Sequence, residues 1–183
     1  MKVNRFKCIK NSWFIVMIVA FGLVASTIPS FAVDQYMTKD KDKSMEKEIE
    51  AKVKKSKMDD SRVLNAVDKG KNITFTSAKL DHLKSLQELE QGEVIGVLQN
   101  DLPGDESKLP PGKYHIYVKN VDGHWKAYAN ANGKTAAESA RVTVEEKNKK
   151  DITDFTPQFR PEGFCICDYA CVQMQCYQIC TCW

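Results

Sequence analysis

The sequence lacks the local motifs by which many enzymes are recognised. It contains no glycine-rich phosphate loop, no paired-carboxylate arrangement and no nucleophile motif. Its three histidines, His82, His115 and His124, are joined by no cysteine or carboxylate cluster, whereas metal and catalytic sites need several such groups together. The sequence therefore predicts a protein that is not an enzyme and that uses no cofactor or metal.

The sequence also lacks an apolar run long enough to cross a membrane. Its longest run, residues 14–25, has about 12 residues, whereas a spanning helix needs roughly 20. The run follows a basic segment without acidic residues and is followed by Pro29, Ser30 and Ala32. This order is typical of a signal peptide over residues 1–32, cleaved after Ala32. It predicts a secreted, extracellular protein; an uncleaved membrane anchor is the alternative, which the short run disfavours.

The chain expected after cleavage has no excess of positive charge. Removing residues 1–32 takes away four basic residues and no acidic ones, which leaves 23 Lys and Arg against 24 Asp and Glu. A near-neutral protein has little general attraction for polyanions. Nucleic acid is therefore not expected among its partners.

Cysteine is absent from residues 33–164, yet six cysteines lie within residues 165–182. An even set in an exported chain predicts disulfides. The numbers of residues between successive cysteines are 1, 3, 4, 3 and 1, the same from either end. If the chain folds back at residues 173–174, this symmetry selects one set of pairs: Cys165 with Cys182, Cys167 with Cys180, and Cys171 with Cys176.

Strand geometry agrees with this pairing. Residues two apart share a face of a strand, so all six cysteines would lie on one face of a hairpin. Directly opposite Cα atoms in an antiparallel pair are about 4.5 to 5.5 Å apart, within the range that a disulfide bridges. The other face is mostly apolar, and we expect it to contact something. The residues expected on this interaction face are Phe164, Ile166, Tyr177, Ile179 and Trp183.

Three other interpretations of the tail remain open at this point. Cys167 and Cys171 are four apart, which also suits a stapled helical hairpin, and the turn at residues 172–175 lacks the Gly, Asn or Pro typical of tight turns. Closely spaced thiolates also suit a metallothionein-like metal site. A thioether-modified peptide is disfavoured, because residues 164–183 contain one Thr and no Ser.

The rest of the chain divides by composition. Residues 33–71 are rich in Lys, Asp and Glu and predict a charged leader that is helical or disordered. Residues 72–145 alternate between apolar and polar and predict a small β-rich domain. Within it, Asp122-Gly123 predicts a hairpin that places Tyr117 opposite Tyr128, and Asn132-Gly133 a further turn that completes a meander.

Residues 146–163 predict a linker between the β-rich domain and the tail. They contain Pro157 and Pro161 and no apolar periodicity. A protease could reach such a segment. Lys149 and Lys150 are the candidate processing site within it, in addition to Ala32 at the end of the signal peptide.

Two resemblances extend these expectations. Residues 109–118, Leu-Pro-Pro-Gly followed by an alternating strand, together with the apolar residues 95–98, resemble small secreted β-sandwich modules of the carboxypeptidase-regulatory-like or PEGA kind. That resemblance implies a non-enzymatic accessory or propeptide module. In layout, the tail resembles secreted precursors of cysteine-rich C-terminal toxin or bacteriocin-like peptides. It differs from them in charge, because residues 151–183 contain four acidic residues and Arg160 alone.

The expected fold is mostly β, with a helical, partly disordered N-terminal region, a small antiparallel meander or sandwich, and a disulfide-stapled C-terminal hairpin. The expected function is that of a non-enzymatic precursor whose tail acts as a toxin or bacteriocin-like peptide. An extracellular binding or structural protein, whose stapled tail docks to its own domain or to a partner, is the alternative; thiolate metal binding is a lesser one. The expected partners are a target-cell surface or membrane, or another protein, and a processing protease.

Overall fold

The computed structural model describes residues 31–103 and 109–183, with side chains from residue 43 onward. Two antiparallel sheets and two helices form the fold. The elements are α1 (Phe31–Lys55), β1 (Met58–Asp68), β2 (Lys71–Ala78), α2 (Leu86–Glu90), β3 (Glu93–Asn100), β4 (Gly112–Val121), β5 (His124–Ala131), β6 (Lys134–Glu138), β7 (Arg141–Asn148), a 3-10 turn (Lys149–Asp151), β8 (Gln158–Arg160), β9 (Cys165–Val172) and β10 (Gln175–Cys182).

Strands β1 to β6 form a six-stranded meander in which each strand pairs with the next. Three of its connections are two-residue turns in which both residues have positive φ, ending in Gly70, Gly123 and Gly133. This conformation matches the twist of the flanking strands and favours glycine. The β4–β5 hairpin has the expected register, with Tyr117 opposite Tyr128.

The four-stranded sheet has the order β7-β10-β9-β8, so the tail hairpin provides its two central strands. Phe75 and Ile116 of the six-stranded sheet belong to the same cluster of buried residues as Ile166 and Ile179 of the tail. The two sheets therefore enclose one core.

The opposite face of the six-stranded sheet is covered by α1. Ile49 of the helix is fully buried and packs with Val94, Tyr117 and Tyr128. The two tyrosine rings lie 6.3 Å apart between their centroids. The molecule thus has three layers, which are the helix, the six-stranded sheet and the four-stranded sheet.

The expected mostly β fold with an antiparallel sandwich and a disulfide-stapled C-terminal hairpin is confirmed. The expected signal peptide lies outside the described residues, except for its last two residues, which begin α1. Neither helix in the described part of the chain has the length and the apolar character needed to cross a membrane.

The expected boundaries differ from the structure at the leader. Within residues 33–71, Met58–Asp68 form a strand rather than part of a charged leader. Leu64 and Ala66 pack against the core, while Val67 near the end of the strand is exposed. Side chains in this segment alternate between the core and the solvent with the period of two that is typical of a β-strand. Burial of its apolar residues against the second sheet stabilises the strand despite the many polar residues in the segment.

The expected linker also contains structure. Residues 146–163 include the end of β7, the 3-10 turn and the short edge strand β8, which pairs with β9. The last strand of the expected meander, which follows Asn132-Gly133, is divided at residues 139–140, where the chain passes from one sheet to the other. The Ser139 amide donates to the Ala127 carbonyl in the first sheet, and the Ala140 amide donates to the Cys182 carbonyl in the second, both at 2.8 Å. The tail is consequently a part of the β domain and not a separate unit.

Candidate functional site

Three disulfides form a ladder across the tail hairpin. Their Cα atoms are 4.1, 4.0 and 4.0 Å apart. Each links residues that are directly opposite in the antiparallel register, and both segments are strands, not helices. Every one of these sulfur atoms is bonded to another sulfur, so none is a thiolate ligand here. The pairs are those that the symmetric spacing predicts, namely Cys165–Cys182, Cys167–Cys180 and Cys171–Cys176.

The two faces of the hairpin have different environments. The five residues expected on the interaction face are at most 7 % exposed, and Tyr177 alone among them lies outside the main core cluster. The other four pack in the core shared with the six-stranded sheet of the same chain. The disulfides point to the other side, away from that core. These five residues are Phe164, Ile166, Tyr177, Ile179 and Trp183.

We call the outward side of the four-stranded sheet the ladder face. The strand registers order its side chains in rows across the sheet. In one row Gln178 and Tyr169 stand between two disulfides, and the Gln178 Nε2 donates to the Tyr169 hydroxyl at 3.1 Å. Besides the six cysteines, the ladder face carries Arg141, Thr143, Glu145, Lys147, Gln158, Arg160, Tyr169 and Gln178.

Arginines flank the disulfide at one end of the ladder. Arg141 of β7 is opposite Cys182, and Arg160 of β8 is opposite Cys165. The Arg141 Nη2 donates to the Cys182 Sγ at 3.6 Å. Both arginines are exposed, but the disulfide between them is at most 6 % exposed. The disulfide-bonded sulfur atoms of Cys165 and Cys182 thus lie between two cationic side chains.

An ion pair between the sheets fixes the tail to the six-stranded sheet. The Arg62 guanidinium of β1 pairs with Asp168 on the core side of β9. It also donates to the Tyr169 carbonyl at 2.9 Å and, through Nε, to the Phe155 carbonyl at 3.1 Å. Burial raises the pKa of Asp168 to about 6, although Arg62 and the Tyr169 amide act in the opposite direction.

A second polar cluster attaches α1 to the sheet. Glu93 is 3 % exposed, and its Oε2 lies 2.8 Å from Lys52 Nζ and 3.2 Å from His82 Nε2. The Tyr117 hydroxyl donates to Glu48 Oε1 at 2.6 Å. Burial and this bond to Glu48 raise the pKa of Tyr117. These contacts secure the helix over the sheet.

The remaining candidate residues lie apart from one another. Lys149 and Lys150 are exposed in the 3-10 turn after β7. Ala32 is in the first turn of α1. His115 and His124 lie at different ends of the β4–β5 hairpin, so the structure does not bring the histidines together.

Sequence reasoning did not select Arg62, Arg141 or Arg160 as a site. One signal was available, because Asp168 is a carboxylate on an otherwise apolar face of the hairpin, and a buried carboxylate requires a partner. The identity of that partner depends on how the two sheets pack. No signal in the local sequence around Arg141 and Arg160 shows that the two arginines flank one disulfide.

Comparison with protein-family models, with curated proteins and with solved structures found no match to this chain. The three disulfides within the chain indicate an oxidising environment of the extracellular type.

Proposed function

We propose that the protein is a secreted, non-enzymatic binding protein in which the stapled tail docks onto its own β domain and presents the ladder face to a partner. The observation that carries this proposal is the burial of Phe164, Ile166, Ile179 and Trp183 in the core shared with the six-stranded sheet. The apolar side of the tail is thereby occupied, and the ladder face is the side left for a partner.

The energetics of the tail favour its retention in the domain. Burying each large apolar side chain contributes about 1.5 to 3 kcal/mol. Removing β9 and β10 would also leave β7 and β8 without their strand partners. The Arg62–Asp168 contact gives the docked tail a defined orientation, but the cost of burying the carboxylate offsets its contribution to the free energy of unfolding. A tail held in this way is a fixed surface of the folded protein.

The rigidity of the ladder face supports a role in binding. Three disulfides and two central strands hold its side chains in fixed rows. A surface that is ordered before binding loses little conformational entropy when it meets a ligand. Export through the expected signal peptide would place this surface outside the cell.

Two neighbouring substitutions on β10 test the docking of the tail in the full chain. Ile179→Asp places a carboxylate in the core, whereas Gln178→Asp changes the adjacent residue on the ladder face. We expect Ile179→Asp to lower the free energy of unfolding by about 3 kcal/mol or more. We expect Gln178→Asp to lower it by only about 1 kcal/mol, because this change removes the hydrogen bond to Tyr169 and places a carboxylate opposite Glu145. Urea unfolding, followed by fluorescence of Trp125 and Trp183, measures both. Equal effects would contradict the docked tail.

A second candidate function is that of a precursor that releases the tail as a toxin or bacteriocin-like peptide. The exposure of Lys149 and Lys150 outside the strands supports it, because proteases cleave exposed segments that can adapt to their active sites. Mass spectrometry of the secreted material distinguishes the two functions. A fragment beginning after Lys149 or Lys150 supports release, and the intact chain from Val33 to Trp183 supports the docked tail.

A further inference from the structure

The ladder face contains a groove of about 470 Å³. Its floor is formed by the disulfides Cys165–Cys182 and Cys167–Cys180. Its sides are formed by β7 and β8, the outer strands of the four-stranded sheet. The groove is therefore built on covalently fixed backbone.

The register places Arg141, Cys182, Cys165 and Arg160 in one row across the four strands. Three inter-strand steps separate the two arginine Cα atoms, which is about 14 Å. Arginine side chains are long enough for both guanidinium groups to approach the space above the disulfide from opposite sides. Arg141 already extends that way, as its contact with the Cys182 Sγ shows.

The charges in the groove are not balanced at this end. Lys147 and Glu145 form an ion pair at 2.8 Å on the same face. In residues 31–103 and 109–183, neither Arg141 nor Arg160 forms an ion pair with a carboxylate, although Glu162 also lines the groove. Three cations, Arg141, Lys147 and Arg160, line the groove with two carboxylates, Glu145 and Glu162, which leaves one net positive charge. Arg160 also lowers the pKa of Glu145 by electrostatic attraction.

We propose, building on the binding function above, that the groove binds a phosphate group between Arg141 and Arg160 above the Cys165–Cys182 disulfide. Guanidinium groups bind oxyanions through two parallel hydrogen bonds. The two oxygens of a carboxylate lie on one edge and suit a single guanidinium. A tetrahedral phosphate presents oxygens in opposite directions and suits two. The group could be free phosphate or a phosphodiester of an extracellular polymer, and the single net charge of the site matches the diester.

NMR titration of the mature chain with intact disulfides tests this site. The mature chain has three arginines, and the Nε–H signal of the internal Arg62 provides a reference. Inorganic phosphate and dimethyl phosphate are added separately at constant ionic strength. We expect the Arg141 and Arg160 signals to move with a dissociation constant of about 1 to 10 mM, while Arg62 stays in place. Tighter binding of dimethyl phosphate assigns the source as a phosphodiester, and tighter binding of inorganic phosphate assigns it as free phosphate.

Matched variants separate the site from a general charge effect. Arg141→Gln and Arg160→Gln should each weaken binding about ten-fold, whereas Lys134→Gln, which removes the same charge from β6 of the other sheet, should leave it unchanged. Absence of shifts with both probes overturns the phosphate site, as does equal binding of acetate or an equal shift of Arg62. The docked tail is tested independently by the Ile179 and Gln178 variants, so failure of one proposal is distinguishable from failure of the other.

Discussion

The β4–β5 and β9–β10 hairpins both have a two-residue connection, but different features hold them in register. The turn of the first is Asp122-Gly123, with φ values of 53° and 83°, a pair typical of the tight hairpin turn. The turn of the second is Gln173-Met174, in which a glutamine takes a φ of 57°. This left-handed backbone conformation is unfavourable for a residue with a Cβ atom. Three disulfides between the two strands hold this hairpin together in place of a favourable turn.

This difference shows how a β sheet can include a hairpin with a poor turn. In the β4–β5 hairpin, local turn chemistry and burial agree. In the β9–β10 hairpin, the three disulfides fix the register, so the turn residues do not have to favour the turn conformation. Met174 at its tip is 73 % exposed, which shows that burial does not hold the tip either. We expect the two hairpins to respond differently to the changes below.

Loss of the disulfides should have the largest effect. We expect full reduction to lower the free energy of unfolding by at least about 3 kcal/mol, because each bridge restricts the unfolded chain and a loop of about 15 residues contributes about that much. Urea unfolding with and without reductant measures the difference. A variant with serine at all six cysteine positions serves as the control, since reductant should not affect it. Equal midpoints for the oxidised and reduced protein would contradict the comparison.

The second largest effect should come from Asp168, because the core face of the β4–β5 hairpin carries no such group. Its pKa is raised from 3.8 to about 6, so between about pH 4 and pH 6 the folded state holds a proton that the unfolded state has released. Stability from this group is present at low pH and falls as the pH rises through about 6. We expect a loss of up to about 3 kcal/mol between pH 4 and pH 7.

Unfolding by urea at several pH values measures this loss. The other carboxyl groups contribute their own pH dependence, so the useful quantity is the difference between the wild type and Asp168→Asn. The variant should lack the decline between pH 4 and pH 7. Asp122→Asn, at the exposed turn of the other hairpin, should retain it. Parallel pH profiles for the wild type and Asp168→Asn would exclude this carboxyl group as the source.

The two hairpins were predictable from sequence for different reasons. Asp122-Gly123 predicts its own register from local turn chemistry, and the symmetric cysteine spacing predicts the register of β9 and β10. The position of the tail in the sheet was not predictable in this way. Its neighbours β7 and β8 lie in residues that indicate the end of a meander and a linker, and their pairing with the tail depends on packing between distant segments.

Of the candidate site, only the disulfides that form the floor of the groove were predictable from the sequence. The disulfide pairs follow from the spacing, but Arg141 and Arg160 are separated from their cysteine neighbours by the order of the strands in the sheet. The strand Met58–Asp68 was not predictable for a related reason. Its many polar residues conceal an alternation of apolar side chains, and these side chains are buried only when the second sheet packs against them.

A smaller effect should follow from Gly123→Ala in the β4–β5 turn. Nothing lies within 4 Å of a Cβ added at this glycine, so the substitution changes only backbone strain and unfolded-state entropy. The positive φ costs an alanine about 1 to 2 kcal/mol, and the restricted unfolded chain returns about 0.4 to 1 kcal/mol. We expect a net loss of about 1 kcal/mol in urea unfolding. No loss would show that this hairpin, too, does not depend on its turn.

The converse change, Gln173→Gly, should have the smallest effect and the opposite sign. Glycine relieves the strain of the positive φ at residue 173. It also removes the exposed hydrogen bond, 3.3 Å long, from the Gln173 side chain to the Lys84 carbonyl. In addition, glycine increases the conformational entropy of the unfolded chain. Because the Cys171–Cys176 bridge next to the turn already restricts that ensemble, the entropic loss is small. Relief of about 1 to 2 kcal/mol of backbone strain outweighs these losses, so we expect a net gain of about 0.5 kcal/mol. Gln173→Ala, which removes the same hydrogen bond and keeps the strain, should be less stable than the glycine variant, and the reverse order would mean that the turn is not strained.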